Sequence, residues 1–217
     1  MIWAVAALAA ASALAYQFCL NNPPGALRST VKTVATGALA VASLMAGAPW
    51  LLGLALGLGA LGDFFLSRPG QRAFLNGLIA FALAHLVYIA LFIRLPRGSA
   101  PFDLGLPGWV GLAGLGVLVL STARWLVPHT GAMRGPVVGY VLVIAAMAAA
   151  ALHLDPAFRL TVFGAAMFLA SDLILSVQIF RLTPDGGLHR KAGQAVWPLY
   201  WGGQALIALN IVQVTMS

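Results

Sequence analysis

Apolar runs of about 20 residues alternate with short polar breaks along the whole chain. Eight runs stand out, at approximately 2–20, 27–46, 49–66, 73–93, 107–127, 136–153, 158–180 and 194–214. A helix of that length crosses a hydrocarbon layer of about 30 Å. The breaks read NNPPG, GAP, SRPGQR, RLPRGSAPFD, PHTGAMRG, HLDPAFR and RLTPDGGLHRK, rich in residues that end helices and form turns. The GAP break is so short that the second and third helices must form a tight antiparallel hairpin. The pattern predicts an all-α, polytopic integral membrane protein, with eight transmembrane helices in one bundle and residues 1–217 as a single transmembrane domain. The first run contains an A-x-A-like stretch at Ala11–Ala15 but lacks the charged start of a signal peptide. It reads as a retained first helix.

Composition supports this reading. Of 217 residues, 61% are hydrophobic and 8% charged, whereas a soluble domain carries about 25% charged residues. The net charge of +7 comes from basic residues scattered singly or in pairs between apolar segments. That distribution fits loops facing anionic lipid rather than a nucleic-acid groove. The single cysteine, Cys19, excludes an internal disulfide.

With the N-terminus outside, the inner loops and helix ends collect Arg28, Lys32, Arg68, Arg72, Arg124, Arg134, Arg181, Arg190 and Lys191. The outer side keeps Arg94, Arg97 and Arg159. The positive-inside rule therefore places both termini outside, in a plasma membrane such as the bacterial inner membrane.

Five carboxylates are present, all Asp. Asp103, Asp155 and Asp185 sit in breaks beside Pro or Gly and read as turn formers. Asp63 and Asp172 fall inside apolar runs, where ionisable groups are costly and are functional by default. They lie in the related stretches GDFFLS (62–67) and SDLILS (171–176), which share Asp, Leu and Ser in register. Two parallel four-helix repeats would bring the two carboxylates to equivalent depths.

Other polar residues fall on helix faces. Gly77, Phe81, His85 and Tyr88 share one face of the fourth run, and Asn76 falls nearly opposite. Lys32, Thr36 and Ser43 share a face of the second run. Tyr140 lies early in the sixth, and Trp197, Tyr200, Trp201 and Gln204 form a stripe in the eighth. These groups cluster in one half of the membrane, which suggests a polar cavity opening to the cytoplasmic half. Structural readings compete. Asp63 as an interfacial partner of Arg68, Lys32 snorkelling to headgroups, and the Trp and Tyr residues as an interfacial belt are all compatible with the spacing. No HExxH, GxSxG, Walker or dinucleotide fingerprint is present.

Several motifs together resemble the YhhN family of membrane proteins, which includes the animal lysoplasmalogenases of the TMEM86 type. They are GDFFLS with Asp63, FLNGLIAFALAHLVYIALF with His85 and Tyr88, PVVGYVLVIAAM with Tyr140, FGAAMFLASDLILS with Asp172, and LYWGGQALIALN with Tyr200 and Gln204. One departure is Lys32-Thr33-Val34, where the family usually has Lys-Pro-Leu.

The resemblance implies hydrolysis of the vinyl-ether bond of a lysoplasmalogen, with no metal or organic cofactor. A lysophospholipid would be the substrate, membrane lipid the surroundings, and nucleic acid no partner. Enol ethers hydrolyse by protonation at carbon, which wants one carboxyl as acid and one carboxylate to stabilise positive charge or activate water. Asp172 is assigned as the acid and Asp63 as the charge stabiliser and water base, an assignment open to reversal. His85, Tyr88, Tyr140, Tyr200 and Gln204 would order water and the glyceryl oxygens. Lys32, with Arg68 or Arg72, would meet the phosphate. The alternative is a proton-coupled transporter or lipid flippase using the same Asp, His and Lys residues. Discontinuous helices would favour it, and the Gly-rich third run, GLALGLGALGD, is where a break is expected if there is one.

Overall fold

A computed structural model describes residues 1–20, 25–97, 105–184 and 186–216. The turn residues Asp103 and Asp185 lie outside these. The described residues form eight α-helices: α1 (Ile2–Cys19), α2 (Ala26–Met45), α3 (Trp50–Leu66), α4 (Gln71–Arg94), α5 (Gly105–Trp125), α6 (Arg134–Ala151), α7 (Arg159–Arg181) and α8 (Gly187–Met216). No strand forms among the described residues, whose one isolated bridge joins Arg97 to Leu154.

Six of the eight, α1 and α4 to α8, are long and apolar enough to cross a membrane. α3, with 17 residues, is shorter. The 20 residues of α2 include Arg28, Lys32 and five Ser or Thr, which dilute its apolar character. Large apolar side chains point outward, as Trp3, Phe18, Leu106 and Leu120 do. In water such a surface would not persist; against lipid it is the expected one. The chain is an integral membrane protein.

α8 begins at Gly187, seven residues before the expected start at 194. The polar stretch LHRKAGQ contains no helix breaker beyond one Gly, so the helix simply extends past its apolar part. Gln178 Nε2 of α7 donates to the His189 carbonyl at 3.0 Å and ties this extension down. Asp155 acts as the expected turn former: its carboxylate accepts from Ala157 N–H at 2.9 Å, opening a short 3₁₀ turn before α7.

The described residues cluster into two compact units, one of residues 1–88 and 208–217, the other of residues 89–207. In the first, α2 and α3 form the tight hairpin that the short break requires. Gly47 takes a φ of +86°. Its N–H donates to Leu44 O and that of Ala48 to Ser43 O, both at 3.0 Å. This is the Schellman ending, which satisfies the last carbonyls of α2 and turns the chain into Pro49 and α3. α3 and the first part of α4 pack closely through glycine: a Cβ on Gly62 would lie 2.6 Å from the Phe81 ring, and one on Gly77 2.8 Å from Leu66.

In the second unit a backbone approach joins α7 to α8. A Cβ on Gly164 would fall 2.5 Å from the Gly203 carbonyl, and one on Gly203 2.7 Å from the Gly164 carbonyl. Only a residue without a side chain fits at either position.

Candidate active site

In the first unit, the polar stripe of α2 faces the end of α3. Asp63 is fully buried, at 0% exposure. Lys32 Nζ lies 3.1 Å from Asp63 Oδ1, and Thr36 Oγ1 donates to Oδ2 at 2.7 Å. The spacing of Lys32 and Thr36, one helical turn apart, brings both to the same carboxylate. A carboxylate stripped of water is stable only when paired and hydrogen-bonded, and each oxygen has such a partner here. The Arg68 guanidinium, meanwhile, sits over the Phe64 ring, 4.7 Å from its centre. Asp63 is thus paired with Lys32, on another helix, and Arg68 is engaged elsewhere.

His85 and Tyr88 of α4 are both fully buried, and Phe81 and Gly77 on the same face are buried with them. Asn76, on the opposite face, is exposed. The spacing of this stripe correctly separates the inward face from the outward one.

In the second unit, Asp172 of α7 is half-buried and accepts a short hydrogen bond from the Tyr140 hydroxyl of α6. The neighbouring Ser171 donates to the Val196 carbonyl of α8 at 3.1 Å, so the Ser-Asp pair points two polar groups at two different helices. Tyr200 packs edge-on against Phe168 with ring centres 5.1 Å apart, and Trp197 lies 5.6 Å from Tyr200. Trp197, Tyr200 and Gln204 are buried, at 4%, 5% and 0% exposure. Residues of an interfacial belt would face lipid, so the belt reading does not describe Trp197 and Tyr200. An apolar groove of about 440 Å³ is lined by Leu173, Ile174, Val177, Leu182 and Leu188 together with Lys191 and Ala192.

Two contributors went unassigned in the sequence. Thr36 stood on the same face as Lys32, but nothing there showed which helix that face meets. Tyr16 lies in an apolar run whose only visible character was length. Its ring sits 5.8 Å from both the Arg28 guanidinium carbon and Lys32 Nζ. Among the described residues, no three His, Cys, Asp or Glu side chains come together to hold a metal ion.

The two carboxylates therefore stand in different settings. Asp63 has an ammonium and a hydroxyl as partners, whereas a phenol hydroxyl holds Asp172.

Comparison with known proteins places the sequence. The YhhN family pattern matches residues 27–211. The chain is 33% identical over 163 residues to proteins named lysoplasmalogenase from Mycobacterium bovis and Mycobacterium tuberculosis, covering 73% of this chain and 58% of each relative. It is 32% identical over 165 residues to lysoplasmalogenase TMEM86A of Bos taurus, covering 71% of this chain and 62% of the relative. The matched stretch thus spans less than two thirds of these relatives' own length. No solved structure matches the chain. With most of its length inside the family pattern, the chain belongs to the YhhN family.

Proposed function

We propose that this protein hydrolyses the vinyl-ether bond of lysoplasmalogens, giving a fatty aldehyde and glycerophosphocholine or glycerophosphoethanolamine. The observation that carries the reading is a fully buried carboxylate, Asp63, held by Lys32 and Thr36 inside apolar helices, in a chain similar to proteins named lysoplasmalogenase. A buried ion pair is weak as a source of stability, so its presence points to use.

In this reading Asp172 delivers a proton to the β-carbon of the alkenyl chain, forming a C–H bond and leaving an oxocarbenium ion. Asp63 stabilises that positive charge and takes a proton from the water whose oxygen adds to the cationic carbon. The resulting hemiacetal breaks its C–O bond to the glycerol, with Asp63 passing the proton it took to the glyceryl oxygen and Asp172 taking the hemiacetal hydroxyl proton as the aldehyde leaves. The sum is substrate plus water to two products, with both carboxyls restored. The Tyr140 hydroxyl, hydrogen-bonded to Asp172, orients it and relays its proton. His85, Tyr88, Tyr200 and Gln204 order water and the glyceryl oxygens. The alkenyl chain lies on apolar helix faces, such as the groove lined by Leu173, Ile174 and Leu188. The same reading includes eight spanning segments of a single transmembrane domain, two four-helix repeats, both termini outside and the polar helix ends toward the cytoplasm. The carrier alternative gains nothing from α3, whose Gly-rich stretch is continuous from Trp50 to Leu66.

Deuterium incorporation tests the chemistry. Hydrolysis in D₂O, with the aldehyde reduced as it forms, should place one deuterium on carbon 2 of the product. Aldehyde free of carbon-bound deuterium would rule out protonation at carbon.

A further inference from the structure

We propose that Tyr16 of α1 is a positioning residue that holds the Lys32 ammonium on Asp63. The inference rests on the functional reading above for its catalytic consequence, but its geometry stands apart from it. Tyr16 is buried at 5% exposure, in a helix that precedes the stretch matched to the family. Lys32 and Arg28 lie one turn apart on α2, and the Tyr16 ring stands 5.8 Å from both cationic groups. Two like charges at that spacing repel each other. A ring face attracts cations through its quadrupole and does so more strongly where water is excluded. The Lys32 side chain is only 14% exposed and ends 3.1 Å from Asp63.

The consequence is directional. A lysine carries four rotatable bonds and rotates freely among many conformers. Asp63 alone fixes the end of that chain, whereas the ring removes the conformers that would carry the ammonium away toward the membrane surface. Thr36 fixes the other carboxylate oxygen. Tyr16, Lys32 and Thr36 together define where the Asp63 charge sits, and only Tyr16 does so without touching the carboxylate.

The chain contains two lysines, Lys32 and the exposed Lys191, so the second serves as an internal standard. The purified full chain in detergent is treated with a small amine-acylating reagent, and the labelling rate of Lys32 relative to Lys191 is read by mass spectrometry. Tyr16→Leu should raise that ratio about fivefold, and Tyr16→Phe, which keeps the ring, should hold it near the value of the unaltered protein. Should Tyr16→Leu not yield folded protein, Tyr16→Met carries the same comparison. An unchanged ratio in the non-aromatic variant, or an equal rise in Tyr16→Phe, overturns the proposal.

Turnover gives the second readout. The non-aromatic variant should lower kcat on a lysoplasmalogen about tenfold with KM little moved, and Tyr16→Phe should recover most of it. A rise in KM with kcat retained would overturn the positioning role. The expected labelling pattern in a protein whose unaltered form turns over no lysoplasmalogen would support the positioning of Lys32 and overturn the functional reading instead.

Discussion

Lys32 Nζ lies 3.1 Å from Asp63 Oδ1 across the α2–α3 hairpin, with the carboxylate completely shielded from solvent. The relationship explains why an otherwise apolar hairpin carries charge on both helices: neither group is tolerable there without the other. Breaking such a pair from one side should cost more than deleting it. Asp63→Asn and Lys32→Met should each destabilise the protein by about 3–5 kcal/mol, and the double variant should recover much of that. Unfolding in detergent of the four proteins measures the cycle. Additive losses would show that the two side chains do not interact.

Thr36 donates to the second oxygen of the same carboxylate at 2.7 Å. Thr36→Val keeps the shape and removes the hydroxyl, and should cost about 1.5–3 kcal/mol, since the lost bond is to a charged group. Thr36→Ser should retain most of the stability. Thermal unfolding of the two variants makes the comparison.

Tyr140→Phe removes the hydroxyl that donates to Asp172. In the proposed reaction this should lower kcat by about 10²-fold, at the lower end of what a positioned proton donor supplies, while the protein still folds. A variant with full kcat would remove Tyr140 from the chemistry.

Gly203→Ala should cost about 1–3 kcal/mol, because its Cβ would fall 2.7 Å from the Gly164 carbonyl and 3.2 Å from Phe168 N, both backbone atoms that cannot move aside. Gly57, in α3, has nothing within 4 Å of a new Cβ. Gly57→Ala should therefore be neutral or stabilising by up to about 1 kcal/mol, the helix-propensity difference. Thermal unfolding of the two variants in detergent separates a close contact from a general intolerance of glycine replacement.

Much of this architecture is written in the apolar pattern. The ends of α2, α3 and α4 fall within about two residues of the sequence reading, because Pro, Gly and Arg punctuate them. α8 starts early because charged, helix-compatible residues such as His189, Arg190 and Lys191 look like a loop when hydropathy is the signal. Facing residues are legible within one helix, as Gly77, Phe81, His85 and Tyr88 show, since 3.6 residues per turn fixes them. Which helix a face meets is not. The partnership of Lys32 with Asp63, and the place of Tyr16 beside it, depend on how helices pack, and a single sequence carries no record of that.

The most direct test of the central claim is aldehyde release by the detergent-purified protein from a lysoplasmalogen, set beside its acyl-ester analogue and repeated with Asp63→Asn and Asp172→Asn. The account predicts turnover of the vinyl ether, little of the ester, and a loss of at least about 10²-fold in each folded variant. Vinyl-ether turnover that survives both substitutions, or none in the unaltered protein, would contradict it.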